Sequence, residues 1–224
     1  MMRMFLALTV VISCTVSAQS ALAAIIITEV MSQSLHGGGT NNADWFEVTN
    51  NGATAVDITG WSWDDDSFQP GTATFGAITS IAAGQSIIVT GETVGAEGDW
   101  RINWALPDSI PIVNLGNGVP GLSAAGDEIY IFDAQDIEIA HVRFGPATTG
   151  STFYWDNQGN DLGISQNGVD GAYQAAFNGA AGPGLDVGSP GLAVIAAVPE
   201  PSTLAVLGTI GVAAVVRKRW RKKA

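Results

Sequence analysis

Between residues 24 and 198 the apolar residues come in short runs, and each run is bounded by turn-forming residues. Runs of this length suit strands, and helix signals are scarce. Ile25 to Val30, Trp45 to Thr49, Ala55 to Ile58, Ser86 to Thr90, Glu128 to Phe132 and Glu138 to Phe144 read as strands. Asn50-Asn51-Gly52, Asp66 to Gly71 and Gly116-Asn117-Gly118 read as turns. Alternation is clear in Trp61-Ser62-Trp63 and in Ile129-Tyr130-Ile131-Phe132. Many short strands with frequent turns predict an all-β sandwich. No internal repeat is visible. Residues 179–191, rich in Gly, Ala and Pro, read as a closing loop and the start of a linker.

The two ends differ from this body. Arg3, the apolar run Phe5 to Ile12 and the small residues Ala21 and Ala23 form a signal-peptide pattern over 1–23. A second exit exists at Val11-Ile12-Ser13-Cys14, which loosely resembles a lipobox. At the other end, Thr203 to Val216 is apolar throughout and is followed by the basic tail 217–224. As a helix, fourteen residues span about 21 Å, less than the ~30 Å hydrocarbon core of a bilayer. Snorkelling Arg and Lys or local thinning would cover the difference. The basic end is expected to stay cytoplasmic and the body to lie outside. Pro199, Glu200 and Pro201 precede the span, within a linker at 193–202. Prolines there stop any helix arriving from upstream.

Charge divides the chain the same way. Of nine Lys and Arg, Arg3 and six tail residues lie outside the body, which keeps only Arg101 and Arg143 and has no lysine. It holds every acidic residue except Glu200, so its formal charge is near −18. Such a surface repels polyanions, which excludes nucleic acid as a partner. Cleavage after Ala23 also removes Cys14, the single cysteine, so no disulfide framework is available and the core must stabilise the domain.

Chemistry-bearing residues are sparse. His36 lies beside Gly37-Gly38-Gly39, and His141 lies in a predicted strand. No Gly-x-Ser-x-Gly elbow supports a nucleophilic serine, and two separate histidines do not make a zinc site. The chain therefore reads as non-enzymatic. Two oxygen-rich segments could offer ligands to Ca2+: Asp64-Asp65-Asp66, and Asp156 to Asp161. Neither has EF-hand spacing, and the competing reading is a pair of solvated turns. Trp63, Trp100, Trp104 and Trp155 are candidate ring platforms for sugars. The competing reading packs all four inside. Trp45 and Trp61 are expected in the core, and Glu47 is expected to face solvent or to be paired.

Two resemblances complete the reading. Pro199-Glu200-Pro201, a short apolar span and a terminal Arg/Lys cluster resemble the PEP-CTERM sorting signal over about the last 27 residues. That resemblance implies an exosortase-type processing enzyme, the membrane, and delivery to a cell surface or polysaccharide matrix. In the body, Ile27-Thr28-Glu29-Val30, Asp44-Trp45-Phe46-Glu47-Val48-Thr49-Asn50, Val56-Asp57-Ile58-Thr59-Gly60-Trp61 and Gly188-Ser189-Pro190-Gly191 resemble the lamin-tail domain. This resemblance covers roughly 25–192 and implies an immunoglobulin-like sandwich. The body, 24–192, is then expected to be a structural or adhesive module, with extracellular polysaccharide or surface proteins as partners and a carbohydrate-binding module as the alternative. Thr49 stands where the family has Tyr, and 92–109 and 146–180 are longer than the pattern. The expected mature N-terminus is Ala24, read by intact mass. A chain beginning at lipidated Cys14, with palmitate labelling lost in Cys14→Ser, would replace that expectation.

Overall fold

The computed structural model describes residues 25–35, 44–91, 97–114, 121–177 and 184–193. The signal segment, the linker beyond Ala193, the apolar span, the basic tail, His36 and the turn at Gly116–Gly118 lie outside the described residues.

Six strands form the larger sheet: β1 (Ile25–Met31), β2 (Trp45–Asn50), β7 (Ser86–Thr90), β8 (Ile112–Asn114), β11 (Phe153–Trp155) and β12 (Asp161–Ile164). Their order is β12-β11-β1-β2-β7-β8. Four form the smaller sheet, in the order β10-β9-β4-β5: β4 (Ser62–Asp64), β5 (Ala73–Thr74), β9 (Asp127–Phe132) and β10 (Glu138–Phe144). Two short ladders complete the set. One pairs β3 (Val56–Asp57) with β6 (Ser80–Ile81), and the other pairs β13 (Tyr173–Gln174) with β14 (Val187–Gly188).

The period of two in each strand decides which side chains fill the space between the sheets. Ile25, Ile27, Val30, Phe46, Val48, Ile87 and Val89 come from the larger sheet. Trp63, Ile129, Ile131, Val142 and Phe144 meet them from the smaller one. Phe46 and Trp63 touch edge to face, with ring centroids 4.8 Å apart. This is the β-sandwich that the short alternating runs predict, and β7 and β10 coincide with their sequence ranges.

The larger sheet is also covered on its outer face. Met31, Trp45 and Ile88 point outward into a second apolar cluster with Trp100, Trp104 and Ala175. Trp100 and Trp104 belong to α1 (Glu97–Trp104), which occupies the long connection at 92–109. One helical turn apart, they share a face. Both meet Trp45 edge-on, at 5.4 and 5.6 Å. The helix ends in a Schellman motif. Leu106 N–H donates to Arg101 O, Ala105 N–H donates to Ile102 O, and Ala105 has φ +52°. The Arg101 guanidinium then binds the carbonyls of Pro107 and Ile110, fixing the return to β8. That return makes β8 parallel to β7, as a crossover connection allows. The helix escapes sequence reading because eight residues with two buried tryptophans give no extended helical period.

Residues 146–180 supply β11, β12 and β13. β11 pairs with β1 and so places Phe153 and Trp155 in the main core. Phe46→Ala is expected to lower stability by about 3–5 kcal/mol, since it removes a buried ring and leaves a cavity. Urea unfolding followed by tryptophan fluorescence measures this.

Candidate functional site: a buried carboxyl pair beneath the closing segment

The register of β1 against β2 slips between Ile27 and Glu29, leaving Thr28 as an extra residue. A bulge of this kind turns two consecutive side chains toward one face. Thr28 and Glu29 therefore both lie on the outer face, opposite Glu47 of β2. Glu29 and Glu47 are each 1% exposed. Of the two expectations for Glu47, facing solvent or being paired, the second describes it: Glu47 alternates with Trp45 and Thr49 on an outer face that is covered, and its carboxyl is hydrogen-bonded.

Hydroxyls and amides surround the pair. Thr28 Oγ1 donates to Glu47 Oε1 at 2.5 Å, and Thr49 Oγ1 lies between Thr28 Oγ1 and Ser86 Oγ, at 2.9 and 2.7 Å. Thr152 Oγ1 donates to Glu29 Oε1 at 2.6 Å and also contacts Ser165 Oγ at 2.6 Å. Two backbone donors come from the end of the body. Ser189 N–H donates to Glu29 Oε1 at 2.6 Å, and Gly191 N–H donates to Glu47 Oε2. Glu29 Oε2 has no hydrogen-bond partner among the described residues.

The geometry explains the Gly-Ser-Pro-Gly sequence. Leu192 N–H returns to Ser189 O at 2.8 Å, with Pro190 second and Gly191 third at φ +79°. That is the arrangement of a type II turn. A Cβ on Gly191 would lie 2.1 Å from Ile110 Cδ1, and one on Gly188 would lie 2.8 Å from Glu29 Oε1. Both glycines permit the close approach that seats the turn on the carboxyls. The Glu of the first strand motif, the Glu of the second and the closing turn are one hydrogen-bonded unit.

Burial pushes the Glu29 carboxyl up to about 8, and the Glu47 charge beside it adds to the rise. Burial also raises Glu47, against the hydrogen bonds from Thr28 and Gly191. Tyr173 is raised by burial and by both carboxyls. Its hydroxyl donates to Trp104 O at 3.0 Å. Asp44, at the start of β2, is separately pushed up to about 8 by burial.

The candidate ring platforms lie inside. Trp63, Trp100 and Trp104 are each 2% exposed and Trp155 is 5% exposed. Their faces are occupied by the two apolar clusters, which overturns the expectation that they offer exposed stacking surfaces. Trp45 is in the outer cluster, and Trp61 is partly buried against the main core.

The candidate Ca2+ ligands are engaged in local turns. Asp64 is buried, and its Oδ2 accepts from Ser67 Oγ and Gln69 N–H, both at 2.6 Å. Asp65 Oδ1 accepts from Ser67 N–H at 3.1 Å, and Asp66 is exposed. Asp156 accepts from Gln158 N–H, Asn160 N–H and the Asn160 amide, which hold it below the usual carboxylate range. Asp161 Oδ1 accepts from Gly163 N–H at 2.7 Å. Among the described residues no group of three or more His, Cys, Asp and Glu is placed to hold a metal ion. His141 sits on β10, stacked on Tyr130 at 4.1 Å and 3.0 Å from Glu128 Oε2. Arg143 also binds Glu128.

Two outcomes are expected. Glu29 is held above its unfolded value, so its contribution is full below about pH 4.5 and is lost as pH rises through about 8. Glu29→Gln should flatten that part of the stability profile in urea midpoints taken across the interval. Gly188→Ala should cost about 1–3 kcal/mol, because its methyl crowds the carboxyl and Thr152.

No curated protein matches the chain. The PEP-CTERM protein-sorting motif matches residues 197–222, which include Pro199, Glu200 and Pro201. That motif marks an exported protein with a sorting tail. It implies membrane association of the precursor, processing by an exosortase-type enzyme and delivery to the cell surface. The Lamin Tail Domain matches residues 18–146, from before β1 to just past β10. The match covers more than half of the 224 residues, and the chain belongs to the Lamin Tail Domain family.

Proposed function

We propose that the body is a non-enzymatic structural or adhesive module, placed outside the cytoplasm by its sorting tail. One observation carries the reading. Two strongly perturbed acids, Glu29 and Glu47, sit beneath the closing turn and are used to hold it. Perturbed carboxyls in a cleft would suggest acid–base work, whereas here the same groups are sealed under backbone. The acidic surface, without lysine, suits a soluble module and disfavours polyanionic partners. The topology that fits the tail keeps the basic end in the cytoplasm and the body outside. Extracellular polysaccharide or surface proteins are the partners this reading expects. The carbohydrate-binding alternative loses the support of Trp63, Trp100, Trp104 and Trp155, whose rings are occupied in packing.

Intact-mass analysis of the surface-associated form tests delivery. The expected species begins at Ala24 and lacks the basic tail. A full-length chain confined to the cytoplasmic membrane would overturn delivery to the surface. Glycan-array binding of residues 24–192 tests the alternative, and retention of defined neutral glycans would favour it over a purely structural role.

A further inference from the structure

The segment 184–193 closes the outer face in an unusual way. Neither apolar cluster contains a residue from it. Polar contacts hold it instead. Ala175 N–H donates to Asp186 O, Val187 N–H to Gly150 O, and Thr152 N–H to Val187 O. Asp186 accepts from Leu35 N–H at 2.7 Å and from Ser34 Oγ. Ser189 and Gly191 rest on the two carboxyls. A segment with few apolar contacts opens at lower free energy than the strands beneath it.

Its seat also carries a built-in conflict. Glu29 and Glu47 are direct neighbours across β1 and β2, and among the described residues no cation is paired with either. The titratable group facing them from the cover is Tyr173, another acid. The pair is accommodated while it holds a proton. When both carboxyls are charged, the low-dielectric site sets like charges against each other, and letting in water relieves this. Lifting the turn at 189–192 admits water without breaking the apolar clusters.

The position of this segment matters for the tail. Gly191 is fixed to Glu47, and Pro199 follows eight residues later. At full extension that distance is roughly 28 Å. Ahead of 184–193, the last described backbone hydrogen bond is that from Phe177 N–H to Asn103 O. From there to Pro199 the chain reaches roughly 75 Å.

We propose that residues 184–193 form a releasable strap, fastened on the Glu29–Glu47 pair, whose opening sets how far the sorting motif stands from the folded domain. The reach control rests on the sorting reading above; the strap itself does not.

Hydrogen exchange of the full-length chain in detergent, at about pH 6 and about pH 9.5, tests the strap after correction for intrinsic exchange rates. Protection of 187–191 is expected to fall by about tenfold or more at the higher pH, with β2 and β7 changing less than about twofold. Glu29→Gln or Glu47→Gln should remove the pH dependence. Asp186→Asn should loosen the strap equally at both values, which keeps the test valid if a pair variant fails to fold. Loss of protection in the strap and β7 together, or a strap indifferent to pH, overturns the proposal. For reach, Ser151→Cys with Val187→Cys pins the strap where these residues bridge. Removal of the tail in cells should slow about tenfold in the oxidised form and recover on reduction. Equal rates overturn reach control. A wild-type chain whose tail is never removed sinks the sorting reading and reach control with it, while exchange still decides the strap.

Discussion

Two carboxyl groups facing each other across neighbouring strands, out of reach of water, must be met by hydrogen-bond donors. The outer half of this fold is arranged around that requirement. The bulge at Thr28 turns a hydroxyl toward Glu47. β11 brings Thr152 to Glu29, and the closing turn brings two amides. Ser189 and the Glu29 it binds are 160 residues apart, so the pair ties the two ends of the body together. Buried acids of this kind add little net stability compared with apolar packing, but leaving one unpaired is costly. They fix which segment closes the sheet more than how tightly it closes.

The larger sheet is thereby divided on its outer face. One half is apolar, where Trp45 meets Trp100 and Trp104 of α1. The other is polar, where Glu29 and Glu47 meet hydroxyls and backbone. The apolar half supplies burial, and the polar half supplies register, because a shifted strand would leave a carboxyl without donors. The smaller sheet differs. Its outer face is partly open, with Tyr130, His141 and Arg143 gathered on Glu128.

Much of the sandwich is legible in the sequence because its signal is local. Alternation marks Ile129 to Phe132, and turn residues bound β7 and β10. What is not legible depends on distant partners. Glu47 reads as an ordinary outward residue until Thr28 and the closing turn are seen to hold it. Trp100 and Trp104 read as unassigned until their one-turn spacing is set against Trp45. The Asp156 turn looks like a cation loop because the residues that make an Asx turn are also those that ligate Ca2+. The pairing of Gly188-Ser189-Pro190-Gly191 with two glutamates was visible only as separate motifs. A weak hint lay in the charge: a Glu between Phe46 and Val48 in an otherwise apolar strand needs a reason to be there.

The pairing of β1 with β11 bears on how such a chain can fold at its destination. In a chain threaded across a membrane unfolded, the order in which strands become available matters. β1 emerges early, yet one of its two neighbours begins at Phe153. Closing so long a loop is slow, and until it happens an inner edge of the larger sheet stands open to other chains. Acidic residues spread over the body, with no lysine to attract them, keep neighbouring chains apart through that interval. The larger sheet can be completed only once the chain is available as far as β12, so in a chain threaded amino end first the sandwich closes late.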